Sequence, residues 1–267
     1  MKYKMLCSDL DGTLLSSKSD VSEYTISQIK RIKPHVRVIL VSARMPSAMY
    51  YIQKDLGVLD QPIICYNGAL VLHGKNELHS ETIPLNIAND IYKICKPLNT
   101  DLGLYTFDEW HVPKTSERVE KEIKYTKTNP VFRNTEETLS GWDRKGLGIH
   151  KLMLMGTKST ADEIMPLLEN RFKNDIHVYR SNDTLIEIAP KAVSKLTAIR
   201  KLLQSGEHLE DVIAFGDNYN DMDMLENVGC GVAVSNGREE VKKIANFVTS
   251  KNTENGVAHF IEERLHI

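Results

Sequence analysis

Ser8-Asp9-Leu10-Asp11-Gly12-Thr13-Leu14-Leu15 (SDLDGTLL) sets two carboxylates one residue apart, directly after the apolar-leaning run YKMLC and directly before a glycine. The run reads as a short buried strand, and Gly12 lets the chain turn sharply where that strand ends. Two like charges at the end of a buried strand repel each other and need a compensating cation. An isolated Asp-x-Asp is an ordinary solvated turn, so its meaning depends on what the rest of the chain brings to it.

Working outward, SEYTISQIKRIK spaces Ile26, Ile29 and Ile32 for a helix behind a Ser22 cap. VRVILVS is a run rich in β-branched residues, and PSAMYYIQKDLG is helix-like, with Pro46 early and Gly57 at its end. PIICYNGALVLHG reads as a strand, an Asn67-Gly68 turn and a further strand. This alternation predicts a parallel sheet covered by helices on both faces. From about Thr82 to Glu187 the pattern loosens: helix-like NIANDIYKICKPL, ERVEKEIKYTK and TADEIMPLLENRF mix with strand-like LGLYTF, IHKLMLMG, IHVYR and TLIEIA. Alternation returns in VSKLTAIRKLLQ, DVIAFG, YNDMDMLENV and GVAV. The expected fold is α/β, a doubly wound parallel-sheet core (1–81 and 189–267) interrupted by an inserted α+β cap domain (82–188).

With 34 basic and 36 acidic side chains the formal net charge is -2, so no global field attracts nucleic acid or an anionic membrane. No stretch approaches the roughly 20 apolar residues of a membrane span, and MKYKMLCSDL has too short an apolar run for a signal peptide. A soluble cytoplasmic protein is expected. Cys7, Cys65, Cys95 and Cys230 are irregularly spaced and form no C-x-x-C pair, which fits reduced core thiols.

In a parallel sheet, functional groups collect at the carboxyl ends of strands. That rule brings together Asp9 and Asp11, Ser42 and Arg44, and Asp217 and Asp221. Carboxylates so close suit a hard cation such as Mg²⁺, which takes one or two carboxylates, waters and phosphate oxygens. Beside such a cation one aspartate can attack a phosphate and another can move protons.

DLDGTLL (Asp9–Leu15), VSAR (Val41–Arg44), VSK (Val193–Lys195) and GDNYNDMDML (Gly216–Leu225) together resemble the four signature motifs of haloacid dehalogenase superfamily phosphatases. Their order, the insert between the second and third, and the tail VTSKNTENGVAHFI are similar to the Cof-type subfamily of sugar phosphatases. The resemblance implies that Asp9 is a nucleophile forming an aspartyl-phosphate and Asp11 the general acid and base. It implies Mg²⁺ held by the carboxylate of Asp9, the backbone carbonyl of Asp11 and the carboxylate of Asp217, with Asp221 supporting them. It gives Ser42, the N–H groups of Leu10 and Ala43, Lys195 and Asn220 to the phosphoryl group. The second motif often reads Thr-Gly-Arg in relatives and here is Ser42-Ala43-Arg44, which keeps the hydroxyl.

Other features have plainer readings. Lys195 alone would be a surface lysine, but its place in the first turn of a helix behind Ser194 favours an anion ligand. Arg44 reads equally as a substrate contact or a structural ion pair. Asn67-Gly68 is first a turn and second a lining of the substrate pocket. GCGVAVSNG (Gly229–Gly237) lacks dinucleotide spacing and opens onto a strand. Arg118, Lys121, Lys124 and Lys127 read first as a solvated helix face and second as a patch steering anionic substrates; Trp110 and His111 read first as packing and second as substrate-facing residues of the insert; and Asn182-Asp-Thr184 is a chance glycosylation pattern. The expected function is Mg²⁺-dependent hydrolysis of small phosphorylated metabolites by a monomer. A phosphotransferase or mutase on the same aspartate, or a non-catalytic sugar-phosphate sensor, would use the same motifs.

Overall fold

The computed structural model describes residues 2–17 and 19–266. The chain begins with β1 (Met5–Ser8), α1 (Glu23–Ile32), β2 (Arg37–Val41), α2 (Ser47–Leu56), β3 (Ile63–Cys65), β4 (Leu70–His73) and β5 (Asn76–Ser80). There follow α3 (Leu85–Cys95), β6 (Asp101–Thr106), β7 (Glu109–Val112), α4 (Glu117–Thr126), β8 (Val131–Phe132), α5 (Thr135–Asp143), β9 (Lys151–Met155), α6 (Lys158–Arg171), β10 (Ile176–Asn182) and β11 (Leu185–Pro190). It closes with α7 (Lys195–Leu202), β12 (Val212–Gly216), α8 (Met222–Asn227), β13 (Cys230–Val234), α9 (Glu239–Ile244), β14 (Phe247–Thr249) and α10 (Gly256–Arg264). Two compact units result: Met1–His79 with Ser194–Ile267, and Ser80–Val193.

The first unit is built on a sheet ordered β14-β13-β12-β1-β2-β3-β4-β5. β1 pairs in parallel with β2 on one side and β12 on the other, and only at β4 does the pairing turn antiparallel. From β1 the chain steps outward through β2 and β3, and after the insertion it steps the other way through β12, β13 and β14. Loops leaving β1 and β12 therefore diverge and open a crevice at the carboxyl ends of these strands. Both faces of the strands are apolar because both are covered. Met5, Cys7, Ile39, Val41, Val212 and Ala214 pack with Ile199, Leu202, Met224, Leu225 and Val241 from α7, α8 and α9. The alternate residues face the other way, where Phe215 meets Phe260 of α10 edge-on, with ring centroids 5.6 Å apart. The doubly wound core expected from the alternation is what the chain forms.

Local signals explain the ends of several elements. Ser22 accepts a hydrogen bond from the Thr25 N–H and caps α1, and Gly57 closes α2 in the left-handed conformation, where a β-carbon is unfavourable. All four cysteines are buried free thiols.

The second unit is a six-stranded sheet, β10-β11-β9-β6-β7-β8, antiparallel except between β7 and β8. Leu102, Leu104, Leu152, Leu154, Ile186 and Ile188 line one face and pack with Ile91 and Cys95 of α3, Leu139 and Trp142 of α5, and Ile164 and Leu168 of α6. α5 is hard to read in sequence because TEETLSGWD has few apolar residues. Its start is written instead in Asn134, whose side chain accepts from the N–H groups of Glu136 and Glu137. Of the basic stripe, Lys121 and Lys124 on α4 and Lys127 at its end are exposed, while Arg118 is half-buried; Arg118 pairs with Glu122 and Lys121 with Glu117 one turn apart. Trp110 and His111 are packing residues, both nearly inaccessible, and His111 stands edge-on to Trp142.

His150 is a buried titrating group of this unit. The Phe107 N–H donates to its Nδ1 (3.1 Å) and its Nε2 lies 3.0 Å from Ser80 Oγ, so the ring is the neutral Nε2-H tautomer. Burial holds its pKa down at about 4. The unfolded chain takes up this proton near pH 6.5 and the folded chain only near pH 4. The stability is therefore complete above about pH 6.5 and is lost as pH falls toward 4. Urea unfolding of wild type and His150→Gln across that window should differ in slope, the histidine accounting for on the order of 3 kcal/mol; equal slopes would refute the assignment.

Candidate active site

Asp9 is the first residue past β1. Its N–H bonds to the Phe215 carbonyl (3.0 Å), which extends the β1–β12 pairing by one step and sets Asp9 at the point where the strand order reverses. The chain then turns through Leu10–Leu14, with Gly12 at φ 89°. A β-carbon on Gly12 would lie 2.6 Å from Asp217 Oδ2, so glycine permits both the turn and the approach. Thr13 Oγ1 donates to Asp217 Oδ1 (3.1 Å). At the end of β12, Gly216 leaves room for Asp221, whose Oδ2 accepts from the N–H groups of Asp217 and Asn218, both at 3.0 Å.

Lys195 joins these pieces. Ser194 caps α7 by accepting from the Thr197 N–H, and the first helical residue sends its fully buried ammonium to Asp9 Oδ1 and Asp221 Oδ1, each at 2.6 Å. Burial pulls the Lys195 pKa down, but Asp221 and Asp9 more than offset this and leave it raised. Asp9 is also raised: burial dominates, Lys195 opposes, and Asp221 and Asp217 add repulsion. Burial, then Asp221, pushes Asp217 up to about 6. One ammonium among three carboxylates leaves an excess of negative charge. Asp9, Asp217 and Asp221 each bring a carboxylate oxygen within 4.8 Å of the others. Hard oxygen donors with uncompensated charge fit a divalent cation.

The carboxylate of Asp11 stands apart from this cluster. It forms a two-pronged pair with Arg44, Nη2 to Oδ1 at 2.7 Å and Nε to Oδ2 at 2.8 Å, and Arg44 also reaches Tyr51 Oη and the Ala48 carbonyl. Of the two readings open for Arg44, the observed contact is the ion pair. Ser42 is buried; its N–H bonds the Ile64 carbonyl and its Oγ accepts from the Arg44 N–H, which leaves the hydroxyl proton free to be donated elsewhere. Leu10 and Ala43 lie in the turns directly after β1 and β2, Leu10 buried and Ala43 half-buried. Asn220 donates to Asn67 Oδ1 (3.0 Å).

Two residues at the site lie outside the motifs, and a third, Thr13, lies within the first motif but has no role legible there. Thr13 holds Asp217, as described. Asn236 donates to the Gly12 carbonyl (2.8 Å) and accepts from the Asn252 N–H (2.8 Å), while Asn252 donates to the Leu15 carbonyl (2.9 Å). The two asparagines thus hold the middle and the far end of the turn that carries Asp11. A faint signal exists in the Asn236-Gly237 turn after β13, but nothing local tells which loop it meets.

A family model for haloacid dehalogenase-like hydrolases matches residues 6–261. The 5-amino-6-(5-phospho-D-ribitylamino)uracil phosphatase YitU of Bacillus subtilis is 31% identical, covering 98% of this chain and 97% of its own. The pyridoxal phosphate phosphatase YbhA of Escherichia coli is 28% identical over 99% of this chain and all of its own. The crystal structure of a haloacid dehalogenase-like hydrolase from Bacteroides thetaiotaomicron superposes with a TM-score of 0.89 at 28% identity, covering 98% and 99% of the two chains. The chain belongs to the haloacid dehalogenase-like hydrolases, and it is an enzyme of their phosphatase branch. Among the described residues no helix is long and apolar enough to cross a membrane.

Removing the Lys195 ammonium leaves Asp9 and Asp221 buried without a counter-charge. In metal-free buffer Lys195→Met should lower the unfolding free energy by about 3–5 kcal/mol, read by urea denaturation; a loss below about 1 kcal/mol would show that the pair is not compensated through this lysine.

Proposed function

We propose that this enzyme hydrolyses small phosphate monoesters, sugar phosphates or related metabolites, through an aspartyl-phosphate on Asp9 and with Mg²⁺ bound. The placement of Asp9 carries the reading: a nearly buried carboxylate at the reversal point of the sheet, bonded at 2.6 Å to a buried lysine. In this reading the Asp9 carboxylate attacks phosphorus while the ester oxygen leaves. Asp11 gives that oxygen a proton and later takes one from the water that cleaves the aspartyl-phosphate. Ser42, the N–H groups of Leu10 and Ala43, Lys195 and Asn220 hold the phosphoryl oxygens, since phosphoryl transfer depends mostly on positioning and on offsetting charge.

Asp9, the Asp11 carbonyl and Asp217, steadied by Asp221, would hold the cation, which when bound supplies positive charge beside the phosphoryl oxygens. Arg44 acts through Asp11. Its two-pronged contact fixes the direction in which the Asp11 carboxylate points, so that the group that moves the protons keeps one orientation. The inserted segment expected from the sequence as a cap, residues 82–188, would read the leaving group and exclude water. The named substrates of YitU and YbhA, a ribitylaminouracil phosphate and pyridoxal phosphate, support a small phosphorylated metabolite as the substrate class.

Phosphate release from a panel of sugar, nucleotide and cofactor phosphates should require Mg²⁺ and stop on chelation. Asp9→Asn should lose at least roughly three orders of magnitude in turnover while keeping the wild-type circular dichroism. Release that survives either change would overturn the nucleophile or the metal assignment; transfer to an acceptor other than water would point to a phosphotransferase.

A further inference from the structure

The turn Tyr66-Asn67-Gly68, between β3 and β4, has three consecutive residues at positive φ, 53°, 56° and 110°. Glycine and asparagine visit that region at little cost, but an aromatic residue does so rarely. A strained backbone persists only where its surroundings over-determine it, and here they do. The Tyr66 N–H bonds the Arg44 carbonyl (3.2 Å) and the Asn67 N–H bonds the Ser42 carbonyl (2.9 Å). Gly68 lies so close to the cap of α7 that a β-carbon would stand 2.3 Å from the Ser194 carbonyl oxygen. The turn is thus locked to the second motif on one side and to the residue before Lys195 on the other.

Asn67 presents its carboxamide from this locked turn, and Oδ1 accepts from Asn220 Nδ2 at 3.0 Å. An amide nitrogen has two hydrogens. The bond to Asn67 occupies one and sets the direction of the other. We propose that Asn67 is a positioning residue for phosphoryl transfer, its carboxamide oxygen orienting the amide of Asn220 toward the phosphoryl group. The proposal rests on the phosphatase reading and on Asn220 as a phosphoryl ligand. It gives the left-handed turn a purpose: a half-buried acceptor held against Asn220 by two neighbouring segments rather than by its own flexible loop.

Asn67→Gly tests it cleanly, since glycine tolerates φ 56° and only the carboxamide is lost. With the best substrate of the phosphate panel, Asn67→Gly should lower kcat/KM roughly three- to tenfold, mainly through KM. It should weaken competitive inhibition by inorganic phosphate by a similar factor and leave the thermal midpoint at or above wild type. Asn220→Ala should give the same pattern, and the double variant should be no worse than Asn220→Ala alone, because coupled residues are not additive. Losses that multiply in the double variant, or unchanged KM and phosphate inhibition in Asn67→Gly, would overturn the role of Asn67 while leaving the Asp9 chemistry standing. Absence of Asp9-dependent turnover in the wild type would overturn the phosphatase reading and this proposal together.

Discussion

A lysine ammonium shielded from all solvent requires anionic partners, and Lys195 has two, Asp9 and Asp221, each at 2.6 Å. These residues come from the first strand end, the helix that follows the insertion, and the loop after β12. Breaking one leg leaves a buried charge unpaired, which is why the three segments hold one geometry. The arrangement binds residues 9, 195 and 221 and so ties together the two stretches of chain that make up the first unit. It also leaves the site with more negative than positive charge, the condition that favours a divalent cation.

Around this contact the backbone is arranged for close approach. Gly12 admits Asp217, Gly216 admits Asp221, and Gly68 admits the carbonyl of Ser194. In each case a β-carbon would stand less than 3.0 Å from a neighbouring atom. Three strand ends and one helix start can then crowd into a single buried crevice, where hydrogen bonds and ion pairs are stronger than in solvent. Asn236 and Asn252 tie the turn bearing Asp11 from outside that crowd.

Much of the site was legible because its signals are local. Asp9 and Asp11 follow an apolar strand and precede a glycine; Asp217 and Asp221 follow another; Lys195 sits one residue beyond a helix cap. In each, a few consecutive residues carry both the chemistry and its placement. The two roles open for Arg44 could not be separated from sequence, because its partner Asp11 is 33 residues away. Asn67 and Asn220, 153 residues apart, and the Asn236–Gly12 bond, 224 residues apart, leave no periodicity or spacing to read. The helix α5 escaped for a different reason: its capping signal is sharp while its apolar pattern is thin.

The amino-acid sequence by itself determined the alternation of strand and helix, the gathering of functional groups at the carboxyl ends of strands, and the identity of the charged groups delivered there, since strand periodicity, helix caps and turn glycines act within a few residues. Only the tertiary structure decided which charges meet. Lys195 joins Asp9 to Asp221, Asp11 turns to Arg44, and Asn220 turns to Asn67, because these pairings depend on distances set by the packing of the whole sheet and its helices, and a chain read residue by residue contains no measure of them.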